Sequence, residues 1–256
     1  MRTTDLPRPD LAPYAAEDVR FAIAAWPMRA AEELRSALII RALARAARAS
    51  GMPAPWPARF WSAVRDELRH SRLCAEVGAR LGAARPTYDP RPVRARLTSL
   101  ADPRERLAAL LLVEVAMGET ISMMLFAAGR RGAREPATRA ALRAILRDEV
   151  RHQRLGWAAL RALWPTLDDR RREALQREAA RGLAGSERQV AAPAMQWLRA
   201  GKAFHPAYAA LGVLHPERRI EAFYFAVERL VVPRLNALGL DGGRAWAERY
   251  RQPSQG

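Results

Sequence analysis

The chain has 256 residues, a formal net charge of +16 and a single cysteine, Cys74. Half of its residues are hydrophobic, enough for a sizeable core in one large domain or two small ones, and the lone thiol excludes an internal disulfide framework and suits a reducing, cytoplasmic compartment. The charge does not point to nucleic acid: Lys202 is the only lysine, and the arginines run through every segment mixed with Glu and Asp rather than clustering with aromatics on one element.

The N-terminal residues carry no apolar run of the kind a signal peptide needs. Arg interrupts every stretch approaching the roughly 20 uncharged apolar residues of a spanning helix, so no membrane partner is expected. β-Branched runs and Asn-Gly turns are scarce, which disfavours strands.

In chain order, residues 1–26 read as a Pro-rich arm. Pro27 suits the first turn of a helix running from about Met28 to Ala49, with Leu34, Ala37, Leu38 and Leu43 at helical spacing. SGMPAPWP ends it, and a second helix runs from about Ala58 to Leu81. A long polar connection follows, from Gly82 to Pro103. Asp102 and Pro103 read as the cap and first residue of a third helix reaching about Gly129. After a short turn, a fourth helix spans about Ala137 to Trp164. A fifth runs from about Leu167 to Arg199. Residues 201–212 read as irregular, and a sixth helix spans about Pro216 to Leu238. Short turns make antiparallel neighbours, and the long connection can cross the bundle. The expected fold is therefore all-α: a four-helix bundle over residues 27–166, made of two helix hairpins with a long crossover, and a C-terminal helical extension, 167–256, packed on it.

Nearly the same pentapeptide occurs twice, with Leu68 in one copy and Val150 in the other. DELRHSRL starts at Asp66 and DEVRHQRL at Asp148. Residues three apart share a helix face, so Glu67 points with His70 and Glu149 with His152. The partner helices offer further carboxylates: Glu32 and Glu33 in the first, Glu114 and Glu119 in the third. A carboxylate from each of two helices, with Glu-x-x-His from each of two others, is the ligand inventory of a two-metal carboxylate site. Four carboxylates neutralise two divalent ions, and neutral imidazoles add ligands without charge. Asp66 and Asp148, each preceding a ligand Glu, suit acceptors for the outer ring N–H of a ligand histidine. Cys74, four residues after His70, reads as a small buried hydrophobe, and Met117, Met123, Met124 and Phe126 as core around the third-helix carboxylates.

On these motifs the chain resembles the ferritin-like di-iron carboxylate proteins, with the resemblance covering roughly residues 30–161. The resemblance implies metal ligands Glu33, Glu67, His70, Glu149, His152 and a third-helix glutamate. Glu33 and Glu119 each open an E-x-x-S stretch, which favours pairing them. Spacing to the DExxH motif favours Glu114 instead. The preferred reading takes Glu119, with Glu114 as a further ligand or an outer group. The implied cofactor is two iron ions, with manganese or a mixed pair open. The implied activity is oxidation or oxygenation of a small organic or peptide-derived substrate by dioxygen, with an external electron donor and a homodimer among the expected partnerships. The alternatives are ferrous-iron oxidation and a non-catalytic helical interaction module. The resemblance does not choose among reactions.

Overall fold

A computed structural model describes residues 6–98 and 102–251. Residues 1–5 of the N-terminal arm, 99–101 of the long connection and 252–256 of the C-terminal extension lie outside the described residues. The described chain is all-α, without strands.

Helices α1 (Ala16–Ala49) and α2 (Trp56–Arg80) pack along one another as the first hairpin. The helix expected from Met28 begins twelve residues earlier, and Pro27 lies inside it. A proline removes one backbone donor from the ladder, but packing outweighs that loss. Ala22, Trp26, Ala30 and Glu33 are all buried along one stripe, and the Trp26 indole donates to the Leu211 carbonyl at 3.1 Å. Much of the expected arm is thus part of α1.

The long connection contains an unexpected short helix, α3 (Arg91–Thr98). The next helix runs continuously from Pro103 to Gly132. It comprises α4 (Pro103–Leu110), a π-helical segment (Leu111–Met117) and α5 (Gly118–Gly132). Asp102 caps it as its sequence position implies, accepting from the Arg104 and Glu105 amides at 2.8 Å. By length and composition this helix is apolar enough to cross a membrane, but 61% of that window is buried inside the protein, where its leucines fill the core. Helix α6 (Pro136–Leu163) completes the bundle and packs on both the π segment and α5.

Helix α7 (Asp169–Arg199) then lies against α4 and the π segment. A single turn, α8 (Pro206–Ala210), interrupts the stretch expected to be irregular. Helix α9 (Pro216–Phe225) packs on α5 and continues through a second π segment (Ala226–Val231) into α10 (Val232–Leu238). Gly239, at φ 99°, stops α10 in the left-handed conformation that glycine adopts without strain. A last helix, α11 (Gly242–Glu248), was not expected from the sequence.

The buried apolar residues form two clusters rather than one. Ile39, Leu43, Phe60, Val64, Leu111 and Leu160 belong to the larger. Trp26, Leu73, Cys74, Val77, Leu142 and Ile145 belong to the smaller. Helices α1, α2 and α6 each contribute to both, and their buried acidic and histidine residues include those where the helix crosses from one to the other. In α1 the break is at Glu33, in α2 at Glu67 and His70, in α6 at Glu149 and His152. A belt of buried carboxylates and imidazoles therefore divides the core.

Candidate metal centre

The belt is assembled by helix register. Glu67 and His70 come from one face of α2, Glu149 and His152 from one face of α6, Glu33 from α1 and Glu119 from the start of α5. All six are buried; the four carboxylates and two imidazoles are at most 7% exposed. They form two overlapping groups able to hold a cation: Glu33, Glu67, His70 and Glu149; and Glu67, Glu119, Glu149 and His152. Glu67 and Glu149 belong to both groups.

His70 Nδ1 lies 3.3 Å from both Glu33 Oε2 and Glu149 Oε1, and 3.8 Å from Glu67 Oε2. His152 Nδ1 lies 2.7 Å from Glu67 Oε1 and 4.0 Å from Glu149 Oε2. The two imidazole centroids are 5.7 Å apart. Both Nδ1 atoms, Glu67 Oε1 and Glu149 Oε2 are buried without an aligned hydrogen-bond partner. Unsatisfied polar atoms are rare in folded interiors, and four of the ten found among the described residues converge on this one centre.

The outer ring nitrogens are held in a crossed pattern. His70 Nε2 is 3.2 Å from Asp148 Oδ2, and His152 Nε2 is 3.3 Å from Asp66 Oδ2. Each half's aspartate thus serves the other half's histidine. An Nε2–H donating to a carboxylate fixes the tautomer that leaves Nδ1 free as a ligand. Arg69 joins Asp66, at 2.7 Å, to Asp148. Arg151 joins Asp148, at 2.9 Å, to Asp66, at 3.1 Å. The sequence allows each aspartate either to accept from a ligand histidine or to pair with a neighbouring Arg, but it shows neither that both occur together nor the crossing. The available signal was that Arg recurs at the same position of both pentapeptides.

Electrostatics match a site built for cations. Burial, and then the neighbouring Glu149 and Glu67 charges, push the Glu119 carboxyl well above its usual range. Burial does the same to Glu33. Burial opposes charge on His152, but the adjacent Asp66 and Glu67 carboxylates override it and raise its pKa to about 10. His70 is raised too, against the same penalty, by Asp148, Glu149 and Glu33. All four shifts favour the protonated form of these groups. Four carboxylates crowded in an apolar interior are unfavourable as bare anions, and two divalent ions would balance them. The residues fit a pair of metal ions.

Glu114 lies apart from this cluster. Its carboxylate accepts from Arg35 and Arg96, each at 2.9 Å, on the far side of the π segment. The structure therefore brings Glu119 to the other ligand candidates, whereas Glu114, also expected as a further ligand or an outer group, is paired with two guanidiniums instead. Cys74 is fully buried in the smaller cluster, and burial raises its thiol pKa.

The fold and this donor set define a ferritin-like protein of the di-iron carboxylate class. The family model described as P-aminobenzoate N-oxygenase AurF matches residues 37–230. The chain belongs to the AurF family, a family of non-haem di-iron oxygenases that act with dioxygen on an organic substrate. Glu33 lies just outside the matched span. No curated protein matches the chain.

Proposed function

We propose that the chain is an N-oxygenase that transfers one atom of dioxygen to the amino group of an aryl amine. The observation that carries this reading is the coincidence of the family match with two complete, overlapping donor sets. In this reading Glu33, Glu67, His70, Glu119, Glu149 and His152 hold two iron ions. Bound iron supplies the reduction of dioxygen, chemistry that no side chain here provides.

The chain's own residues do the rest. Glu67 and Glu149 face both positions, while Glu33 and Glu119 each face one. Asp66 and Asp148 orient the imidazoles. Exposure is uneven: Glu33 and Glu119 are 7% and 5% exposed, against at most 2% for the other four. In this reading the amine is taken up at the less closed α1–α5 edge, beside the half-buried Met123, Met124 and Phe126 of α5. An amine and dioxygen, with two electrons from an external donor and two protons, give a hydroxylamine and water: one N–O bond forms and the O–O bond breaks. Iron, rather than manganese, and a reduced cytoplasmic setting complete the reading.

The test is turnover of ferrous-loaded protein with a reductant, p-aminobenzoate and a panel of substituted anilines under ¹⁸O₂. Mass spectrometry should find one ¹⁸O on nitrogen in at least one product. Dioxygen consumption that yields only ferric iron, with every amine untouched, would instead support the iron-oxidation alternative.

A further inference from the structure

The two halves repeat, but they are not braced alike. The residue after each ligand histidine is Ser71 in one half and Gln153 in the other. In the first half, the Ser71 hydroxyl donates directly across the hairpin to the Ala30 carbonyl of α1 at 2.7 Å. Aligned on Glu33 and Glu119, Ala30 corresponds to Ala116. That carbonyl instead receives the hydroxyl of Thr120, within its own continuous helix, at 2.6 Å.

Gln153 reaches the partner helix by another route. The Arg234 side chain, from α10, places one nitrogen, Nη1, 2.7 Å from Gln153 Oε1 and 3.2 Å from Thr120 Oγ1. The Trp157 indole donates to the same hydroxyl at 2.9 Å. Thr120 thus donates once and accepts twice, its full capacity. Thr120 adjoins Glu119, and Gln153 adjoins His152. Thr120 is fully buried and Gln153 is 5% exposed. Among the described residues Arg234 has no carboxylate partner; both acceptors of its side chain are neutral groups beside ligand candidates.

We infer that Arg234 is a positioning residue for the second metal position only, the one formed by Glu67, Glu119, Glu149 and His152. Ser71 braces the first position within its own hairpin, although the extension meets α1 as well, where the Leu211 carbonyl accepts from Trp26 and the Gly212 carbonyl from Arg29. The second depends on the C-terminal extension, whose guanidinium ties the helix carrying Glu119 to the helix carrying His152. The inference rests on the two-metal reading above.

The experiment is anaerobic titration with ferrous ion, followed calorimetrically and by elemental analysis, on the full-length chain and on Arg234→Ala and Arg234→Lys. The unaltered chain is expected to bind two ions. Arg234→Ala should keep one ion at unaltered affinity and weaken the other by about tenfold or more. Arg234→Lys should recover much of that loss, because a single nitrogen makes both bonds and an ammonium has donors enough for each. Circular dichroism and thermal melting of the metal-free proteins establish that each variant is folded. Two ions at unaltered affinity in Arg234→Ala would overturn the inference. So would equal weakening of both ions, which marks a general structural role. Absence of metal from the unaltered chain would instead count against the two-metal reading itself.

Discussion

Asp66 and Asp148 carry the clearest consequences at the scale of single residues. Each holds the histidine of the opposite half, so neutralising either one should loosen the opposite imidazole. Asp66→Asn and Asp148→Asn are each expected to lower metal affinity about 10- to 100-fold, measured by competition with a coloured chelator; unaltered affinity would show that the crossed bonds do not orient the ligands. Titration gives a second consequence. His152 is raised to about 10 in the metal-free chain, so its contribution to stability is complete below its unfolded value near 6.5 and is lost as pH rises through about 10. Glu33 and Glu119 are raised too, so the folded state again binds more protons than the unfolded chain. The metal-free protein should therefore melt at progressively lower temperature from pH 6 to pH 9, while stabilisation by metal grows over the same range. Metal uptake should release protons, counted by calorimetry in buffers of different ionisation enthalpy. A metal-free protein whose melting temperature rises across that range would contradict these directions. The Glu-x-x-His pairs were legible in the sequence because a helix puts residues three apart on one face. Which aspartate serves which histidine was not legible, since it depends on how α2 and α6 face each other.

Among the elements, the helix from Pro103 to Gly132 decides the ligand set. Its π segment lies between α4 and α5, so regular helical spacing could not say whether Glu114 or Glu119 faces the belt. Glu119→Gln is expected to reduce the bound metal below two ions per chain. Glu114→Gln should keep both ions and cost about 1–3 kcal/mol of stability, read from urea unfolding of the metal-free protein; the reverse pattern would reassign the ligand. Gly156 of α6 sets how closely the helices approach. A Cβ there would stand 2.8 Å from the Ala116 Cα and amide nitrogen and 2.9 Å from the Val115 carbonyl carbon. These are backbone atoms that cannot move aside. Alanine gains about 1 kcal/mol in helix propensity, but overpacking of this kind costs roughly 1–3 kcal/mol. Gly156→Ala should therefore lower the urea midpoint despite that propensity, and an unchanged or higher midpoint would show that the segment yields. The long helices were readable from breakers and apolar spacing. The early start of α1 was hidden because Pro27 resembles a first-turn proline until Trp26 is seen buried beneath the Leu211 carbonyl. Helices α3 and α11 are too short to carry a periodic signal, and α3 is fixed by Arg96 pairing with Glu114 and Glu178.

For the whole molecule, the repeat makes a bundle whose polar belt separates two apolar clusters, and the extension packs against the half that carries Glu119 while also meeting α1 through α8, Leu211 and Gly212. The candidate cluster was legible because nearly the same pentapeptide occurs twice in one chain. The extension's contact with the site was not, because Arg234 is one arginine among many and only the packing of α10 distinguishes it. The central claim is that six buried side chains hold two metal ions. The most direct measurement is elemental analysis after anaerobic ferrous reconstitution, beside the His70→Ala/His152→Ala variant. Two iron ions per chain, lost in the folded variant, is the expected result. A native chain that retains no metal, or a variant that retains both ions, would contradict the account.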